Sequence, residues 1–361
     1  MNDRGRLIDA ISHYIHHRFI WLLLGSYVVA AVFPDLGLWM KNVSFGQITL
    51  FKEKTKLVLP VLLLSFLLFN AGLGVQASQL RTLFRTPLTL IAGLFANLFV
   101  PVLFIFAVSQ TMRLWYNPDE VQNILVGLAL VAAMPIAGSS TAWSQNSNGN
   151  ITLSLGLVLL STFTSPITTS AVLHSVGLMA TGSYAEALHK LAASGTTGFL
   201  AISVILPSLF GIAIHSILGK ARIAVIKPDL KLTNSFVLLL LNYCNASLAL
   251  PQAVDDLDWP FLLVTLLIVT GLCVLTFLAG WWLSRLLQTD ASNRASLMFG
   301  LGMNNNGKGL VLASLALAGH PRVLLPIIFY NLVQHLVASV AVVVLDRRES
   351  NEIGIEIVTR N

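Results

Sequence analysis

Gly300-Leu301-Gly302-Met303-Asn304-Asn305-Asn306-Gly307-Lys308-Gly309 interrupts an otherwise apolar run over residues 295–318. Glycine weakens a helix, and Asn prefers to bond its own backbone in turns. Four glycines, three consecutive asparagines and a lysine therefore do not suit a continuous membrane helix. At bilayer depth, irregular backbone persists only where it lines a cavity or is buried in protein. The stretch predicts a discontinuous helix of the kind that forms transporter binding sites.

A second interruption lies upstream, at Met134-Pro135-Ile136-Ala137-Gly138-Ser139-Ser140-Thr141, where a Pro/Gly break precedes three hydroxyls. Around these two breaks the 361-residue chain is 55% hydrophobic and only 11% charged. Soluble domains carry about a quarter charged residues, so this is an integral membrane protein. Its apolar runs are long and unalternated, which specifies helices and excludes a barrel. Runs long enough to span cover 19–40, 57–80, 86–112, 121–185 (two spans), 191–219, 232–254, 259–284, 295–321 and 323–345. The corner inside the long uncharged run is placed at Gly149-Asn150. The basic N-terminus leads into a first transmembrane helix and carries no cleavage site.

The expected fold is thus an all-α membrane protein of ten transmembrane helices. Ten divide into five and five, and an odd number per half makes the second half insert inverted. The halves are read as 1–185 and 186–345, with a short cytoplasmic tail at 346–361. The fourth and ninth helices then correspond, and these are the two that carry the breaks. With both termini cytoplasmic, Lys and Arg fall twice as often on inner as on outer segments, as the positive-inside rule requires. The first outer loop, with Lys41, Lys52, Lys54 and Lys56, fits that rule poorly. The net charge of +6 follows from topology and implies no nucleic-acid partner, since the basic loops lack interleaved aromatics. Cys244 and Cys273 fall in apolar segments and support neither a disulfide framework nor a metal site. No nucleophile–base pair, membrane carboxylate pair or metal-ligand spacing appears, which argues against an enzyme.

At the two breaks the sequence resembles the bile acid:sodium symporter family. Gly302-Met303-Asn304-Asn305-Asn306-Gly307 is similar to that family's signature Gly-Met-Gln-Asn-Ser-Gly in a broken ninth helix. Gly138-Ser139-Ser140-Thr141 and Gly149-Asn150 resemble its broken fourth helix and the start of its fifth. The resemblance implies a core domain, in which the broken helices cross, and a panel domain. It also implies a secondary transporter that moves an organic anion, bile-acid-like or a small carboxylate or sulfonate, by alternating access with Na+ as coupling ion.

By the same resemblance, Ser140 and Ser154 match sodium-site hydroxyls, and Asn304 and Asn305 match the amides of the crossover. Asn97 loosely matches an amide on the third helix. The departures are as informative. The family's sodium-site glutamate falls at Gly300, a ligating Asn at Thr141, and a Thr at Val158. All sixteen acidic residues lie in loops, tails or helix ends, so no substitute carboxylate is available.

Lys308 is the one charge deep inside a span, and a mid-membrane lysine is by default a functional hypothesis. Three readings stay open: it stands in for the sodium charge, it pairs with the substrate's anionic group, or it snorkels to water. The first two allow proton-coupled or uncoupled anion transport. The substrate set is read as Gly138, Asn305 and Lys308 with Asn242 and Asn245, and the ion set as Ser140, Thr141, Ser154, Asn304 and Asn97. Asn242 and Asn245 share a helix face and either line the pathway or bond between helices. Asn331, Gln334 and His335 share a face of the tenth span. Ser161, Ser165 and Thr168 beside Pro166 are read as hydroxyls that re-satisfy a kinked backbone. A membrane ligand sensor on a transporter fold is a further alternative, disfavoured by the short tail.

Overall fold

The computed structural model describes residues 18–50, 53–75, 87–195, 197–255 and 258–359. Helix α1 (Phe19–Val32) stops at Phe33 because Pro34 opens α2 (Pro34–Asn42), and a residue preceding proline disfavours helical geometry. The two helices meet at 91°, so the run at 19–40 is bent and not one straight span. The lysine-rich stretch that follows is a β-hairpin, β1 (Ser44–Leu50) with β2 (Glu53–Val58), paired antiparallel from Gln47↔Lys56 to Leu50↔Glu53. Its β-branched and polar residues alternate, a period-2 pattern that suits a solvated hairpin. Apart from this hairpin the described elements are helical, as expected of an all-α membrane protein. Helix α3 (Leu59–Leu73) follows, shorter than the run at 57–80 from which it was read.

Helices α4 (Pro87–Thr111), α5 (Pro118–Ala133), α6 (Ser139–Asn146) and α7 (Ile151–Gly177) come next. Asn150 caps α7 by accepting from the Leu153 N–H at 3.1 Å, which fixes the turn at Gly149-Asn150. Helix α8 (Gly182–Lys190) and two π-helical turns, Leu191–Gly195 and Ala201–Ile205, lead to α9 (Leu206–Ala246). Gly219 breaks α9 with φ +77°, a conformation only glycine adopts without strain. The two spans read at 191–219 and 232–254 therefore join without an intervening loop. Helices α10 (Leu250–Asp255), α11 (Trp259–Leu286), α12 (Ala291–Gly302), α13 (Asn306–Ala316) and α14 (Leu324–Thr359) complete the order. Helix α14 runs on through the segment read as a tail.

Among the described residues, five helical stretches are long and apolar enough to cross a bilayer unaided: Pro87–Leu114, Ile151–Gly177, Gly198–Ile226, Trp259–Leu286 and Pro321–Leu345. The bent α1–α2 pair passes the same test as a unit. The chain is a multi-pass helical membrane protein. Helices α1, α2, α3, α9 and α10 pack on one another, and α4–α7 pack with α11–α14. The two groups meet along a seam where α13 lies against α3 and α9, and α14 against α1.

Candidate functional site

Helices α5 and α6 are two halves interrupted at Met134–Gly138, and α12 and α13 are two halves interrupted at Met303–Asn305. The interruptions cross and pair with each other. The Ala137 N–H donates to the Met303 carbonyl (2.8 Å), the Asn305 N–H donates to the Pro135 carbonyl (2.9 Å), and Ile136 bridges Asn304 antiparallel. Each break supplies the partners that the other's unwound backbone lacks, which is the requirement at bilayer depth.

Neighbouring helices complete the accounting. Ser161 Oγ on α7 accepts the Ile136 N–H at 3.1 Å, and Thr169 Oγ1 donates to the Ala133 carbonyl at 2.7 Å. On the other break, Gln334 Oε1 on α14 accepts the Asn304 N–H at 3.1 Å, and Tyr330 Oη donates to the Gly302 carbonyl at 3.2 Å. Asn304 Nδ2 also reaches the Val131 carbonyl of α5 at 3.1 Å. None of these four capping side chains was assigned a capping role from sequence. Ser161 was read with the Pro166 kink, and what does serve the kink is Ser165, whose Oγ donates to the Thr162 carbonyl at 2.7 Å. That carbonyl is the one Pro166 cannot bond.

The geometry leaves a specific set of polar atoms over. Ser140 Oγ, Asn304 Oδ1, Asn306 Oδ1 and Lys308 Nζ are all buried without a hydrogen-bond partner in the protein. Lys308 is fully buried, at 0% exposure, so it does not snorkel in this conformation. Buried polar groups are nearly always paired, and an ionic one left unpaired is costly. The crossover also collects helix termini. The N-termini of α6 and α13 point their positive dipole ends at it, and the C-termini of α5 and α12 their negative ends. Such an arrangement accepts an anion and a cation at separate ends.

The residues read as the site are only partly brought together. Gly138 is exposed with no atom within 4 Å of where a Cβ would sit, so it borders open space beside α6. Asn305 pairs through its backbone and precedes α13, with Lys308 in the first turn. Ser154 Oγ donates to Thr141 Oγ1 at 3.2 Å, and Thr141 is the residue that follows Ser140. Asn97 lies beside the first break, its Oδ1 unpartnered where it lines a cavity of about 40 Å³ with Ala132–Pro135, Ser161, Thr164 and Thr168. Asn242 and Asn245 bond between helices in this conformation: Asn242 Oδ1 accepts from Asn331 at 3.2 Å, and Asn245 Oδ1 accepts from Ser314 at 3.1 Å.

The chain belongs to the sodium bile acid symporter family. That family's model matches residues 61–255, more than half of the chain, taking in the α5–α6 break but not the α12–α13 break. The chain is also similar to an uncharacterized sodium-dependent transporter, YocS, of Bacillus subtilis (strain 168), with 29% identity over 164 residues. That match covers 45% of this chain and 44% of the relative, less than half the length of each.

Membership sharpens the question of the coupling ion. Among the described residues no three His, Cys, Asp or Glu side chains converge on one point. At Gly300, a Cβ would sit 2.9 Å from Leu157 Cδ1, and at Gly93 a Cβ would sit 2.8 Å from Leu157 Cδ2. Leu157 is wedged between the two glycines, within an apolar cluster of Leu90, Ile136, Leu153, Leu297 and Leu301. A carboxylate at position 300 would have to displace that leucine. The oxygens present, Ser140 Oγ and the Thr141–Ser154 pair, are neutral and can offer lone pairs to a hard cation without compensating its charge.

Proposed function

We propose that this protein is a secondary active transporter of an organic anion, working by alternating access about the crossed breaks. The observation that carries the reading is the pairing of the two breaks beside a fully buried, unpartnered Lys308. The N-terminus of α13 and the Lys308 ammonium both favour negative charge. Gly138 and Asn305 border the same region. Sodium is the coupling ion expected from the family and from the name of the bacterial relative, with Ser140, Thr141, Ser154 and Asn304 as its oxygen donors.

The packing of Leu157 against Gly300 favours a second reading, in which Lys308 supplies the positive charge in place of sodium and transport is proton-coupled or uncoupled. Uptake of labelled organic anions (a bile acid, a small carboxylate and a sulfonate) into proteoliposomes, with and without a sodium gradient, separates the two. Sodium-driven uptake supports the first reading. Sodium-independent uptake that is lost in Lys308→Ala supports the second. Saturable binding of these anions without flux under any gradient would overturn transport and leave a ligand sensor.

A further inference from the structure

A polarised chain of hydrogen bonds runs from the α12–α13 break across the seam between the two helix groups. The Asn304 N–H donates to Gln334 Oε1 (3.1 Å), Gln334 Nε2 to Asn331 Oδ1 (3.3 Å), and Asn331 Nδ2 to Tyr27 Oη (2.9 Å). Tyr27 Oη in turn donates to Asn242 Oδ1 at 3.5 Å, and Asn331 Nδ2 also reaches that oxygen at 3.2 Å. Every residue in the chain is at most 8% exposed.

The direction of this chain is dictated by its first member. A backbone N–H can only donate, so it fixes the oxygen of Gln334 toward Asn304 and the NH2 toward Asn331. That fixes the oxygen of Asn331 toward Gln334 and its NH2 toward Tyr27. Each amide accepts on one side and donates on the other, an arrangement in which bonds polarise one another in a low-dielectric interior. Breaking one link therefore weakens its neighbours and leaves the next amide able to rotate.

The ends of the chain lie in different bodies. Asn304 belongs to the break, next to Asn305 and the start of α13. Gln334 and Asn331 lie three residues apart on α14, and Tyr27 and Asn242 lie on α1 and α9 across the seam. We propose that Gln334, Asn331 and Tyr27 form a gate relay, in which Gln334 and Asn331 are positioning residues that tie the backbone of the binding-site break to closure of the seam.

Parting α1 from α14 frees the Asn331 amide, loosens Gln334 and releases the Asn304 N–H. In the other direction, a ligand that draws on the Asn304 backbone weakens the seam. A polar seam suits this role because its groups find water when it opens, whereas an apolar seam exposes unfavourable surface. The direction of coupling to a ligand rests on the transport reading above, while the relay itself does not.

The test uses the full chain in lipid nanodiscs without substrate, followed by hydrogen–deuterium exchange with mass spectrometry. Tyr27→Phe removes one hydroxyl on the far side of the seam. It is expected to speed exchange in peptides containing residues 303–305 by about tenfold, with little change in α4 and α11. Gln334→Met is expected to do so at least as strongly, and Tyr27→Phe/Gln334→Met no more than Gln334→Met alone, because serial links do not add. Ser314→Ala cuts a different bond across the seam and should leave 303–305 unchanged. Unchanged exchange in Tyr27→Phe, or additive effects in the double variant, would overturn the relay. Should Gln334→Met not fold, Asn331→Ala tests the same serial dependence. Loss of anion transport with the exchange pattern intact would instead sink the functional reading alone.

Discussion

The two breaks solve one backbone problem with different chemistry. At Met134–Gly138, hydroxyls from α7 cap the unwound chain: Ser161 takes an N–H and Thr169 covers a carbonyl. Ser140 Oγ on α6 and Asn97 Oδ1 on α4 are the neutral atoms left over around that break. At Met303–Asn305, the caps are a longer amide and a phenol from α14, and the arm keeps Asn304 Oδ1, Asn306 Oδ1 and Lys308 Nζ unpartnered. The first break is nearly self-sufficient and suits a fixed frame. The second retains unmet polar capacity, including a charge, and its cap is linked to the opposite helix group. On the proposed transport reading, ligand recognition and gating would concentrate on the α12–α13 arm, and substitutions on the two arms should separate transport from stability.

The largest separation is expected at Lys308. An unpaired buried ammonium costs stability, so Lys308→Met should leave the melting temperature unchanged or raise stability by up to about 2 kcal/mol. Anion uptake by the same variant should fall by a factor of about 100, the loss expected when about 2.7 kcal/mol of charge stabilisation is removed. Thermal unfolding and proteoliposome flux on one preparation check both. A variant that unfolds while its remaining folded fraction transports normally would make Lys308 structural and erase the contrast between the arms.

Gly300 is the next place to press. Introducing Glu there forces a side chain into Leu157 and buries a carboxylate, at a cost of ~3 kcal/mol or more. Gly300→Glu should therefore be poorly folded, and Gly300→Glu/Leu157→Ala should recover part of the loss by making room. If the coupling charge has moved to Lys308, the double variant should also show greater sodium dependence of uptake than the wild type. Chemical denaturation and sodium-gradient flux decide the two parts separately. A Gly300→Glu variant as stable as the wild type would show that Leu157 does not fill the site.

On the first arm the effect turns structural. Ser161→Ala leaves the Ile136 N–H buried without an acceptor, which costs about 1–3 kcal/mol. Uptake per folded molecule should be nearly unchanged, because the Ser161 hydroxyl is already committed to the Ile136 N–H and the Val158 carbonyl. A drop in flux with no loss of stability would place Ser161 in the pathway and make the arms equivalent.

Much of this architecture is legible in the sequence, for a physical reason. Glycine, proline and consecutive asparagines inside long apolar runs conflict with the demand for continuous helix, so both breaks announce themselves at Met134–Gly138 and Met303–Asn305. The Gly149-Asn150 corner is legible too, through the capping chemistry of Asn150. What stays hidden is whatever depends on a partner distant in the chain. Nothing local in Ser161 distinguishes an acceptor for another helix's N–H from a hydroxyl bonding its own turn. Gln334 and Tyr27 are separated by about three hundred residues, so their relay has no local pattern. Leu157 looks like any core leucine, and only the placement of Gly93 and Gly300 makes it a plug. The hairpin at Ser44–Val58 is hard to read because Lys52, Lys54 and Lys56 give the stretch the composition of a charged loop.

Ser165 offers the smallest and cleanest comparison, since it lies one turn beyond Ser161 on the same helix. Its Oγ returns a hydrogen to the Thr162 carbonyl that Pro166 leaves unbonded. The acceptor is a carbonyl, which tolerates under-satisfaction better than an N–H does. Ser165→Ala should cost only about 0.5–1 kcal/mol, less than Ser161→Ala, and should leave both uptake and the exchange of residues 303–305 unaltered. Equal losses in the two variants would mean that the hydroxyls of α7 serve helix packing in general, and that the specific cap on the Ile136 N–H carries no special weight in holding the first break.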